Sequence, residues 1–113
     1  MDMTPKVRIY SKDFVVAIKE LEDACDIFGE PTEVKESAIK IYKKIEDNQL
    51  NKEFSRESVI AGVFYAAIAT TKGSKAIHLE DVEHFFNAEK ASLFKVSRFV
   101  CREFGLRVLP VQK

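Results

Sequence analysis

The stretch SRESVIAGVFYAAIATT, residues 55–71, decides the fold. Ser55 stands where a helix N-cap would stand, and the residues after it show no amphipathic period. Val59, Ile60, Val63, Phe64, Tyr65 and Ile68 point to every side of a helix. Ala61, Gly62, Ala66, Ala67 and Ala69 fill the gaps with side chains small enough for neighbouring backbones to come close. A helix that is apolar all round has to be buried. In a chain of 113 residues, burial of one whole helix requires the others to wrap around it, which a plain up-and-down bundle does not do.

On the N-terminal side, Phe14, Val15, Ile18, Leu21, Ala24, Cys25 and Phe28 follow the three-and-four spacing of an amphipathic helix starting at Asp13, with Gly29 as its C-terminal cap. Residues 1–12, which include Pro5, read as a leader. After Pro31, Thr32 is the expected N-cap of a second helix whose inner face is Val34, Ala38, Ile41, Tyr42 and Ile45, ending near Asn48. On the C-terminal side, Lys72 to Ala76 read as a Gly-containing turn. His78 or a neighbour caps a short fourth helix with Leu79, Val82, Phe85 and Phe86. Asn87 is the expected cap of a fifth, which presents Leu93, Val96, Val100 and Phe104 on one face and stops at Gly105, before Pro110. The expectation is a single all-α domain of five helices over residues 13–110, with a tail at 111–113.

Composition narrows the function classes. Apolar residues at 46%, charged residues at 32% and nine Phe describe a globular core rather than a disordered chain. Lys plus Arg and Asp plus Glu are both 18, so there is no global basic field, and any nucleic-acid contact must come from a local patch. Cys25 and Cys101 lack CxxC spacing and read as buried apolar side chains, with a disulfide between them an alternative in a hyperthermophile. His78 and His84 are six apart with no ligand partners in register, so no metal or other cofactor is expected. No strand-turn-helix nucleophile, Gly-rich phosphate loop or paired-carboxylate motif occurs, which points to a binding protein and not an enzyme, with no small-molecule substrate. No apolar run reaches the roughly 20 residues of a membrane span, so a cytoplasmic location, or a nuclear one in a eukaryote, is expected.

Five helices around a buried, Ala-rich third one resemble the cyclin fold, and five strings in order resemble the first cyclin-like repeat of archaeal and eukaryotic transcription factor B. These are FVVAIKELEDACDIFGEP (14–31), VKESAIKIYKKIEDNQL (34–50), SRESVIAGVFYAAI (55–68), LEDVEHFF (79–86) and KASLFKVSRFVCREFGLRVLP (90–110). The third is similar to the family's Ser-x-Glu-x-Val and Tyr-Ala-Ala pattern. The resemblance implies the TATA-binding protein, promoter DNA and RNA polymerase as partners, and either a free-standing relative or a first repeat parted from a zinc ribbon and a second repeat.

Several basic positions of the family are missing. Lys52, Glu53 and Phe54 stand in place of Arg-Gly-Arg, Ala69 in place of an Arg, and Ala76, Ile77 and His78 in place of Pro-Arg-Thr. Lys90, Lys95, Arg98 and Arg102 remain on the fifth helix and are the candidate DNA-binding residues. The last three recur at three- and four-residue spacing, which puts them on one face opposite the apolar one. Helices four and five resemble a helix-turn-helix, in which such a face meets phosphates. The competing reading is an ordinary solvated surface, with Glu80, Asp81, Glu83 and Glu89 repelling DNA. Glu20, Glu22, Asp23 and Asp26 on helix one read as a solvated acidic face, with a docking surface for a basic partner as the alternative. The second functional expectation is a cyclin-fold adaptor that holds a partner's helix in an inter-helix groove without touching DNA.

Overall fold

The computed structural model describes residues 12–48, 53–73 and 78–108. Among them are five helices and no strand: α1 (Lys12–Phe28), α2 (Thr32–Asn48), α3 (Arg56–Thr71), α4 (Leu79–Phe86) and α5 (Lys90–Phe104). The expected leader up to residue 11, most of the turn at 72–76 and the end of the chain from residue 109 lie outside the described residues.

The third helix is the inner rod that its composition demands. Every residue from Ser58 to Ala69 is buried except Tyr65, and α3 packs against α5, α2, α4 and α1. Its start is held by Ser55, whose Oγ accepts the Ser58 N–H at 3.2 Å and donates to the Ser58 hydroxyl at 2.8 Å. This is the arrangement expected of a cyclin-like repeat.

Small residues and rings divide the packing between them. Phe64, at the middle of α3, meets Phe28 at the end of α1 (centroids 5.5 Å apart) and Phe86 of α4 (5.5 Å); Phe85 closes the group against Phe28 (5.9 Å) and Phe86 (4.8 Å, edge-on). The short fourth helix is thereby fastened by aromatic contacts that outweigh its weak intrinsic stability. Phe14 on Tyr42 (5.6 Å) joins α1 to α2, and Phe54 on Phe99 (5.6 Å) joins the segment before α3 to α5. On the α5 side the device is the opposite: at Gly62 a methyl group would stand 2.5 Å from Val96 Cβ and Cγ1 and 3.1 Å from the Leu93 carbonyl. Two helices come together there only because one position has no side chain.

The helix ends explain the chain reversals. Gly29 takes φ +67°, and the Glu30 N–H donates to the Cys25 carbonyl at 2.8 Å, as the sequence predicts for a glycine C-cap. Glu30 then reaches across to Lys72 at the end of α3 (2.8 Å), a pair whose carboxylate side chain is only 7% exposed. Thr32 begins α2 rather than capping it: the Pro31 carbonyl accepts from the Val34 and Lys35 N–H groups, so proline holds the cap position. The helix expected from Asp13 starts at Lys12, a shift within the fraying of a helix end.

Asn87 differs more. It does not cap α5 but closes α4 in the left-handed conformation (φ 56°), with its N–H directed at the Glu83 and His84 carbonyls, and Glu89 precedes α5 without a side-chain cap. Asparagine tolerates left-handed backbone, and that property, not its capping ability, is what the three-residue turn uses.

Gly62→Ala should destabilise the protein by about 2 kcal/mol in chemical denaturation, the usual cost of overpacking a tight contact. Burial, then the nearby Glu30, pushes the Cys25 thiol from 9.0 up to about 11. A pKa raised on folding stabilises the native state below the unfolded value, and that contribution is lost as pH rises through the folded one. Denaturation midpoints should therefore fall between pH 9 and about 11, and fall less in Cys25→Ala.

Candidate nucleic-acid interface on the fifth helix

Helix α5 has two opposed faces, and its period explains both. Leu93, Val96, Ser97 and Val100 are buried against the rest of the domain, while Lys95, Arg98 and Arg102 are exposed on the far side. At about 1.5 Å per residue these three cations climb the helix in steps of roughly 4.5 and 6 Å. The structure thus brings them onto one surface. Lys90 is exposed too, but it sits in the first turn, about 80° to 140° around the axis from the other three. It belongs to the edge of the patch and not to its row.

Among the described residues, no carboxylate lies within ion-pair distance of Lys90, Lys95, Arg98 or Arg102; the pairs found there include Lys19–Asp23, Arg56–Glu20 and Lys72–Glu30. Glu103, on the same helix, stands at neither three- nor four-residue spacing from any of the three aligned cations. The acids Glu80, Glu83 and Glu89 line a depression with His84, Asn87 and Ala88 at the α4–α5 turn. The acids of the α4–α5 turn thus lie at the N-terminal end of α5, where Lys90 also stands, and the row of three cations lies toward its middle and C-terminal part.

Beside the basic row runs a groove of about 510 Å³ between α3 and α5, lined by Tyr65, Phe94, Ser97, Arg98, Cys101, Arg102, Leu106 and Val108. Tyr65 and Phe94 form its aromatic end, edge-on with centroids 5.2 Å apart. Gly105 (φ 64°) turns the chain back at the other end, and the Leu106 N–H reaches the Cys101 carbonyl at 2.9 Å, which places Leu106 and then Val108 along the wall. Burial raises the Tyr65 phenol above its ordinary value, with a further push from Cys101, and burial alone raises the Cys101 thiol. Both therefore present neutral groups at neutral pH. The groove escapes a reading of the sequence because Tyr65 lies in a run, residues 58–69, that is otherwise buried; its phenol, a polar tip in an apolar run, is the one available signal. The cysteines also differ from the expectation of two buried thiols: both are free, Cys25 is buried, and Cys101 is only half-buried because it lines this groove.

The chain is similar to archaeal transcription initiation factors IIB. It is 27% identical over 99 residues to the factor of Archaeoglobus fulgidus, covering 88% of this chain and 30% of that protein. The corresponding figures are 29% over 97 residues, 86% and 31% for Sulfurisphaera tokodaii. For transcription initiation factor IIB 6 of Halobacterium salinarum they are 30% over 94 residues, 83% and 29%. The chain thus spans about 30% of the length of the curated relatives it matches. The resemblance drawn from the five strings holds across nearly the whole domain. No family model matches the chain, and no solved structure does.

Because Lys95, Arg98 and Arg102 are exposed and form no ion pair among the described residues, reversing two of them should not disturb the fold. Lys95→Glu plus Arg98→Glu should keep the helical circular-dichroism signal and lie within about 0.5 kcal/mol of the parent per site.

Proposed function

We propose that this domain acts in transcription initiation by binding, not by catalysis, joining the TATA-binding protein on promoter DNA through the exposed face of α5. The observation that carries the reading is the row Lys95, Arg98 and Arg102, three cations on one exposed face with no described carboxylate beside them, in a chain similar to transcription initiation factors IIB. Phosphates along one DNA strand are the complement of such a row, and guanidinium groups bind them bidentately.

The chemistry also limits the contact. A net charge of zero supplies no long-range attraction, and about three phosphate contacts make binding weak and salt-sensitive. The acids at the α4–α5 turn keep the duplex toward the C-terminal part of α5. Contacts from this row to phosphates position a duplex without carrying sequence information, so on this reading placement on a promoter falls to the protein partner. RNA polymerase is a further partner on the same reading, through surfaces other than this row.

A second reading has its own observation, the groove beside the row. Its apolar wall of Phe94, Leu106 and Val108 suits a helix of another protein, as in a cyclin-fold adaptor that never meets DNA.

A mobility-shift assay with the TATA-binding protein and promoter DNA separates the two. The domain should slow the complex further at low salt, and Lys95→Glu plus Arg98→Glu should abolish that effect. Absence of any shift at low salt would overturn the DNA reading in favour of the adaptor.

A further inference from the structure

Three of the four large apolar side chains that are exposed among the described residues lie on one helix: Val15 (59%), Val16 (43%) and Ile27 (65%), all on α1. The inner side of α1, with Phe14, Ala17, Leu21, Ala24 and Cys25, is spent on the core. On its outer side Val16, Lys19, Asp23 and Ile27 follow one another at spacings of three, four and four, which aligns them in a single seam across three turns. The seam is apolar at both ends and oppositely charged in the middle, where Lys19 Nζ and Asp23 Oδ1 stand 3.5 Å apart, 72% and 47% exposed.

Such a pattern is complementary to itself when reversed. Val16 and Ile27 are equally distant, about 8 Å along the axis, from a midpoint between Leu21 and Glu22. An antiparallel copy related by a two-fold axis through that midpoint sets Val16 against Ile27 of the other copy, and the reverse. The same operation brings Lys19 within about 1.5 Å, along the axis, of the level of the other copy's Asp23. Each Lys19–Asp23 pair then has a second partner of opposite sign across the axis. Glu20, the nearest acid that would face Asp23 of the other copy, lies to the side of the seam and is held by Arg56 at 3.2 Å.

We infer that the outer face of α1 is a self-association surface, at which two copies of this chain pair their first helices antiparallel through Val16, Lys19, Asp23 and Ile27. The interface is isologous, so it closes at a dimer and builds no filament. One helix face of this length lies at the low end of the area a specific interface needs, so the dimer is weak and in rapid exchange. It leaves the candidate DNA-binding face untouched, because α1 packs on α2 and α3 while α5 packs on α3 and α4.

Sedimentation equilibrium across a concentration series tests the inference. The expected result is a mass that climbs from one chain toward two, with the rise lost in Val16→Glu plus Ile27→Glu. It should weaken in Lys19→Asp and return in Lys19→Asp plus Asp23→Lys, where opposite charges again face each other. All four positions are on the outer side of α1, so unchanged circular dichroism should accompany each change. A single-chain mass at every concentration would overturn the proposal, and so would a dimer that Val16→Glu plus Ile27→Glu leaves intact. Neither outcome bears on the mobility shift, which depends on α5.

Discussion

The close approach of α3 to α5 at Gly62 is the constraint on which the remaining architecture depends. With a methyl group there, Val96 Cβ and Cγ1 would be 2.5 Å away, and the two helices could not lie at their present separation. That separation seats Leu93, Val96 and Val100 in the core, with α2, α4 and α1 closing around the other sides of α3. Aromatic rings then fill what the alanines and the glycine leave open, most of all where Phe28, Phe64, Phe85 and Phe86 meet. Small residues on one flank and large ones on the other let a single short helix serve as the core for four neighbours.

Anchoring α5 through one face leaves its other face available. Lys95, Arg98 and Arg102 are exposed for the same reason that Leu93, Val96 and Val100 are not: a helix buried along one stripe must present the opposite stripe to water. The proposal that they bind phosphates rests on what surrounds them. The acids cluster at the α4–α5 turn, and among the described residues none pairs with the row. A chain without net charge can offer a local positive surface only by segregating its charges in this way. The same fold packs α1 on α2 and α3, and there the outer residues are not uniformly polar.

The similarity to transcription initiation factors IIB and the geometry bear on different questions. The first extends over most of this chain but only about 30% of the relatives, and its matched strings are dominated by core residues. The second concerns the surface, where Lys95, Arg98 and Arg102 stand exposed on α5.

Helix number, helix order and the burial of residues 58–69 are legible from the one-dimensional pattern, because period and its absence are local properties of side-chain chemistry. The common face of Lys95, Arg98 and Arg102 is legible for the same reason, since helical spacing alone aligns them. Four things are not. Asn87 as the left-handed end of α4, Pro31 in place of Thr32 as a cap, the half-exposure of Cys101 and the groove under Tyr65 each depend on where a second or third element arrives. Tyr65 reads as core on its own helix and becomes a groove wall only when Phe94 and the chain beyond Gly105 come up beside it. Local chemistry determines what each helix must hide, whereas the residue that ends half in water is chosen by the shapes of the helices that come to hide it.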